Sequence, residues 1–244
     1  MPTDTLLDRF LTGLAPLGPL AVWAHGSLAG GDYQEGRSDL DLIAVVPELN
    51  PRTVWRLALL HARLRGDPLA AKLHCSYLTP DGTDDTERRH LTWAHERLFR
   101  RTVTPITRRE LHSFGKVLHG APPAGPLPPV TDAELAGYIV RNMREYWRPT
   151  VRRPELWRED IWVDLGLVTL ARATVTLRDG RLISEREALA ELADLGAPAE
   201  VVEDVRARRY DDPAPPSAEW RDRRAALTRS YLGPAIDTLV ASYS

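Results

Sequence analysis

The feature that most constrains this chain is the run APPAGPLPP at residues 121–129. Proline lacks an amide donor, and its ring clashes with the preceding helical turn, so no helix continues through this run. Element types alternate before it, whereas helix follows helix after it. Two domains are therefore expected, 1–120 and 121–244. The first should be α/β, a small mixed sheet with flanking helices, and the second an all-α helical bundle.

Within the first half, residues 5–14 read as a short amphipathic helix. An apolar strand over 20–24 runs into His25-Gly26-Ser27 and a glycine-bearing loop. Residues 40–46 (LDLIAVV) are rich in aliphatic and β-branched side chains and stop at Pro47, as a mostly buried strand does. Pro51 suits the first turn of a helix to about Arg65, with Val54, Leu57, His61 and Leu64 on one side. Residues 72–78 (KLHCSYL) alternate, which puts Leu73, Cys75 and Tyr77 on one face and Lys72, His74 and Ser76 on the other. In the second half, Thr131 and Glu134 form a capping box that opens a helix through Leu135, Ile139, Met143 and Trp147. Further helices are expected over 160–177, with Ile161, Leu165, Val168 and Val175 near helical spacing, after Ser184-x-x-Glu187, and over 198–209 and 217–243.

Composition narrows the class. With 43% hydrophobic and 27% charged residues, the chain is neither disordered nor a coiled coil. Lys+Arg 32 against Asp+Glu 34 gives a net charge of -2, without the basic footprint of a dedicated nucleic-acid binder. A single cysteine, Cys75, builds neither a disulfide framework nor a cysteine zinc site, and the spacing of His90, His95, His112 and His119 matches no zinc motif. No apolar run approaches the roughly 18–20 residues of a membrane span, and residues 1–20 lack the pattern of a signal peptide. The expectation is a cytoplasmic monomer that engages neither membrane nor nucleic acid.

The chemistry concentrates in Gly26-Ser27, eleven residues of loop, then Asp39-Leu40-Asp41 at the head of an apolar strand. Residues i and i+2 of a strand point to the same side, so Asp39 and Asp41 aim two carboxylates at one point. That is a hard oxygen site suited to Mg²⁺ which leaves positions for phosphate oxygens and water. Gly26 allows close backbone approach to a phosphate, and Ser27 supplies a hydroxyl and an amide where the strand hands over to a turn. Gly30, Gly31, Arg37 and Ser38 lie in the loop.

This stretch, AHGSLAGGDYQEGRSDLDLIAVV, resembles the signature of the DNA polymerase beta-like nucleotidyltransferase superfamily, and within it the aminoglycoside adenylyltransferases that modify streptomycin and spectinomycin. The likeness extends through residues 117–120, 131–147 and 167–177. It implies transfer of AMP from ATP–Mg²⁺ to a hydroxyl of a small cationic acceptor, a modification of the antibiotic-resistance type. Asp39 and Asp41 would hold metal, Gly26 and Ser27 the triphosphate, and Arg37 or Ser38 the loop or the phosphates.

In the resembled enzymes a third carboxylate on the next strand helps activate the acceptor, and KLHCSYL has none. His74 becomes the expected general base, because an imidazole titrates near neutral pH. Glu87 and Glu96 are alternatives from the following segment. Trp157, Asp160 and Asp164 are spaced by three and four, so on a shared helix they would stack on one face as an aromatic and acidic platform for a cationic acceptor, and the resembled family also carries a tryptophan and acids just before this helix. Trp93 is a further candidate wall residue, and Arg206, Arg208 or Arg209 with Tyr231 loosely match the family's nucleotide-contacting positions. The missing acid leaves two other readings open: the same chemistry on another metabolite or a protein hydroxyl, or a nucleotide-binding module that no longer transfers.

Overall fold

The computed structural model describes residues 2–243. The chain divides at Val130/Thr131 into two compact units. The proline-rich run thus belongs with the first unit. Its Leu127 is fully buried beside Trp23, the Trp23 indole N–H donates to the Ala121 carbonyl at 2.7 Å, and His112 Nε2 lies 2.9 Å from the Leu127 carbonyl.

The first unit runs α1 (Pro2–Leu14), β1 (Ala21–Ala24), α2 (Gly26–Gly30), β2 (Leu40–Val45), α3 (Pro51–Leu64), β3 (Leu73–Leu78), β4 (Arg89–Ala94), β5 (Arg97–Thr102), α4 (Pro105–Phe114) and β6 (Lys116–Gly120). Its sheet has the order β5-β4-β3-β2-β1-β6. β2 and β3 are parallel, joined by the crossover helix α3, and every other pair is antiparallel, so the sheet is mixed. Asn50 caps α3 by accepting from the Thr53 amide, and Pro51 occupies its first turn.

Strand alternation separates two cores. Val22, Ala24, Leu40, Leu42, Ala44, Leu73, Cys75 and Tyr77 share one cluster with Leu6, Phe10 and Leu14 of α1 and Leu57, Leu60 and Leu64 of α3. Trp23, Ile43, Val45 and Leu78 form the other with Val103, Leu111 of α4 and Leu127. The alternation puts His25, Asp41 and His74 on this second face.

Four elements of this unit, β4, β5, α4 and β6, and the short helix α2 go beyond the expected strand, strand, helix, strand. β4 and β5 form a hairpin whose two-residue turn is His95-Glu96, both at positive φ (51° and 58°). Such a turn ordinarily carries Asn or Gly, so its sequence gives no turn signal.

The second unit is helical: α5 (Asp132–Asn142), a π-helical stretch Met143–Trp147 leading into α6 (Arg148–Thr150), a 3₁₀ turn Leu156–Arg158, α7 (Asp160–Asp179), α8 (Glu185–Asp194), α9 (Ala199–Tyr210) and α10 (Ala218–Tyr243). Both expected capping boxes, Thr131/Glu134 and Ser184/Glu187, are formed. On α7 the buried stripe includes Val163, Leu167, Leu170 and Val175, whereas Ile161 and Leu165 are exposed. Trp157 is fully buried, its N–H bound to the Thr150 carbonyl at 3.0 Å. A Cβ at Gly166 of α7 would stand 2.6 Å from the Trp157 ring, so glycine is what lets the indole lie against the helix. No described helix is long and apolar enough to cross a membrane.

Candidate active site

The site is built where three strand ends of the first unit meet. β1 ends at Ala24, and the next amide, His25 N–H, donates to the Asp41 carbonyl at 3.0 Å. The chain then turns at Gly26, whose φ is +60° and where a Cβ would stand 2.9 Å from Asp41 Oδ2. Only glycine takes this conformation without strain and leaves that carboxylate unobstructed. The Gly26 N–H is itself committed, donating to Glu110 Oε2 at 3.3 Å. What Gly26 contributes is therefore its missing side chain more than an amide for a phosphate. Ser27 follows, half-buried in the first turn of α2.

Asp39 and Asp41 flank Leu40 at the start of β2, and Leu40 is fully buried in the opposite core as strand alternation requires. In the parallel register Asp41 lies opposite His74. His74 Nδ1 is 3.6 Å from Asp41 Oδ1 and 3.8 Å from Asp39 Oδ2, and Lys72 Nζ is 3.6 Å from Asp39 Oδ1. The His74 imidazole is buried, its Nε2 without a hydrogen-bond partner among the described residues, and the His95 ring packs edge-on against it at 4.8 Å. Burial acts to raise the Asp41 pKa, but the His74 imidazole and the charges of His25 and Arg101 outweigh it and hold the carboxyl below the ordinary range. Asp41 is thus a carboxylate at neutral pH.

Two carboxylates converging on the cation-compatible edge of one imidazole make a donor set that fits a hard divalent ion. Among the described residues no group of three or more His, Cys, Asp or Glu side chains gathers for a metal. The chain's share of a Mg²⁺ shell would be these two aspartates, the rest coming from phosphate oxygens and water.

The other expected residues fall elsewhere. Ser38 Oγ accepts from the Gln34 N–H at 3.1 Å and so braces the loop that delivers Asp39, while Arg37 is exposed. Trp93 is not a wall residue. It is buried in the α1/α3 core, stacked on His61 at 4.3 Å between ring centres. Trp157 is not a platform either, being a core residue of the helical unit, and it precedes α7 instead of sharing a helix with Asp160 and Asp164. Those two acids are held by arginines, Asp160 by Arg224 at 2.5 Å and Asp164 by Arg208 at 2.7 Å, with Asp204 bridging both arginines. Arg206 lies on α9 beside Glu203, and the Tyr231 hydroxyl donates to the Leu195 carbonyl. Glu87 is exposed in the loop before β4, and Glu96 is exposed in the hairpin turn beside His95.

Two residues at the site carry no sequence signal, His25 and Glu110. Glu110 comes from α4, 85 residues beyond His25, and is buried with its Oε2 3.1 Å from His25 Nδ1.

Residues 7–116 match the family model described as nucleotidyltransferase domain. Among solved structures, the chain is similar to spectinomycin adenyltransferase AAD(9) from Enterococcus faecialis, crystallised with ATP and spectinomycin. The two superimpose with a TM-score of 0.72 at 16% identity, over 96% of this chain and 98% of the other. The mixed sheet followed by helices is thus a fold the two proteins share. No curated protein sequence matches the chain.

Proposed function

We propose that the chain, whose residues 7–116 match the nucleotidyltransferase domain model, transfers AMP from ATP to a hydroxyl of a small cationic acceptor of the aminoglycoside class. The observation that carries this reading is the convergence of Asp39, Asp41 and His74 beside the Gly26-Ser27 turn. The structural likeness to an enzyme crystallised with ATP and spectinomycin supports the choice of nucleotide and acceptor.

Asp39 and Asp41 hold Mg²⁺, which when bound neutralises phosphate charge and polarises the α-phosphorus. Ser27 and its turn hold the triphosphate. His74 accepts the proton of the acceptor hydroxyl as the oxygen attacks the α-phosphorus. The new bond is O–Pα and the broken one is Pα–O to the β-phosphate, so pyrophosphate leaves. The imidazolium so formed lies against two carboxylates, which stabilise it. A histidine thereby does the work of the absent third carboxylate.

The test is pyrophosphate release from ATP and Mg²⁺ across streptomycin, spectinomycin and other aminoglycosides. Release with one antibiotic is expected, abolished in Asp39→Asn and Asp41→Asn and reduced about 10²–10⁴-fold in His74→Ala, the usual worth of a general base. Release with none of them, while ATP still binds, would overturn the acceptor assignment.

A further inference from the structure

We propose that Glu110 is the positioning residue of the nucleotide site: one carboxylate oxygen, accepting from both the His25 ring and the Gly26 amide, sets the turn that carries Ser27. This deepens the transferase reading and rests on it for the nucleotide.

The geometry starts from α4. Thr104 caps it by accepting from the Thr107 amide. One turn in, the buried Arg108 donates to three backbone carbonyls, those of Val103 (3.3 Å), Thr83 (2.6 Å) and Asp85 (3.1 Å). Leu111 is buried in the core under Trp23 and Ile43. The helix is thus fastened to the sheet on both sides of Glu110. Near its end, Phe114 faces Gly30, where a Cβ would lie 3.5 Å from the ring, so α4 also backs α2.

Glu110 is 5% exposed. A carboxylate that deep requires donors, and two of them, His25 Nδ1 at 3.1 Å and the Gly26 N–H at 3.3 Å, come from the residues immediately before Ser27. Neither is a metal ligand. Gly26 takes a left-handed φ that is one of several open to glycine, so the backbone alone does not fix the turn, and a Cβ there would stand 2.9 Å from Asp41 Oδ2. The Asp41 side of the turn is tied by the His25 N–H to Asp41 carbonyl bond, and the α4 side by Glu110. Released on the α4 side, the turn would keep its tether to β2 but lose the constraint on where Ser27 points.

The experiment compares Glu110→Gln, Glu110→Asp and Glu110→Leu with the wild-type chain. Gln keeps an acceptor oxygen at the same reach, Asp keeps the charge but is one methylene short, and Leu keeps the packing alone. Two readouts are taken: amide exchange at Gly26 without nucleotide, and affinity for Mg²⁺–ATP. Gln should stay within about threefold of wild type in both, whereas Asp and Leu should exchange faster and bind at least about tenfold more weakly, as for one lost hydrogen bond to a charged partner. At saturating ATP the turnover of the Asp variant should fall by less than its affinity, a split that general destabilisation does not produce. Unchanged Gly26 exchange in Asp and Leu would overturn the proposal, as would Gln impaired as badly as Asp. Should Leu fail to fold, the Gln and Asp pair decides. Wild-type protein that binds no ATP would sink the transferase reading, and Gly26 exchange would still separate Gln from Asp if Glu110 sets the turn.

Discussion

At Gly26 two demands meet in one residue: a φ of +60° and a Cβ-sized space filled by Asp41 Oδ2 at 2.9 Å. Gly26→Ala would pay roughly 1–2 kcal/mol for the left-handed backbone and would also push the Asp41 carboxylate away. Activity should drop far more than stability, read as kcat/KM against the thermal midpoint. His61 is the opposite case, a buried residue with no part in the chemistry. Its Nε2 lies 2.6 Å from the Tyr77 hydroxyl, its ring stacks on Trp93, and burial pulls its pKa down to about 3. Above pH 6.5 both folded and unfolded chains carry a neutral His61 and its contribution is complete. Between pH 6.5 and about 3 the unfolded chain binds a proton that the native chain refuses, so stability falls with pH across that window. His61→Gln should flatten the acid limb of a denaturation series over that window, and an unchanged slope would remove His61 as its source. The convergence of Asp39, Asp41 and His74 was legible because strand alternation puts all three side chains on one side. Trp93 and Trp157 were not, because an indole reads alike in a core and on a wall. Only its neighbours, His61 in one case and Gly166 in the other, decide.

At the scale of elements, β1, β2, α3 and β3 could be read from their patterns, whereas the β4–β5 hairpin could not. Its turn is His95-Glu96 where Asn-Gly would announce it, and β5 (RLFRRT) is charged as edge strands often are. Glu96 at φ 58° bears strain that glycine would not. Glu96→Gly should therefore raise stability by up to about 1 kcal/mol, seen as a higher denaturation midpoint. A lower midpoint would mean that the Glu96 side chain contributes more than its backbone costs. The same hairpin places His95 against His74, so the substitution also asks whether His74 tolerates a relaxed neighbour. Helix α4 escaped the sequence for a related reason. It is a ten-residue segment with two arginines and a glutamate among its apolar residues, and Arg108 and Glu110 are buried by partners distant in the chain.

At the scale of the molecule, the proline run marked the division into an α/β half and a helical half. The boundary lies at Val130/Thr131 because residues 121–130 have partners in the first unit, Leu127 in its core and the Val130 carbonyl accepting from Arg109. Each unit has its own buried apolar core, so ligand binding should register first in the unit that holds the site. A ligand that binds only the native state at 100 times its Kd adds about 2.7 kcal/mol, equivalent to a globally open state roughly 100-fold less populated. Amides of β2, Leu40–Val45, sit in the central part of the sheet and begin beside both aspartates, so their exchange reports that opening. With Mg²⁺–ATP at that excess they should become about 100-fold more protected in the wild-type chain. In Asp39→Asn with Asp41→Asn the added protection should vanish if, as proposed, these two carboxylates are the fold's ligands to the metal–nucleotide complex. Protection that survives the double substitution would place nucleotide affinity in the Gly26-Ser27 turn and its neighbours instead, leaving the aspartates a role in the transfer step alone.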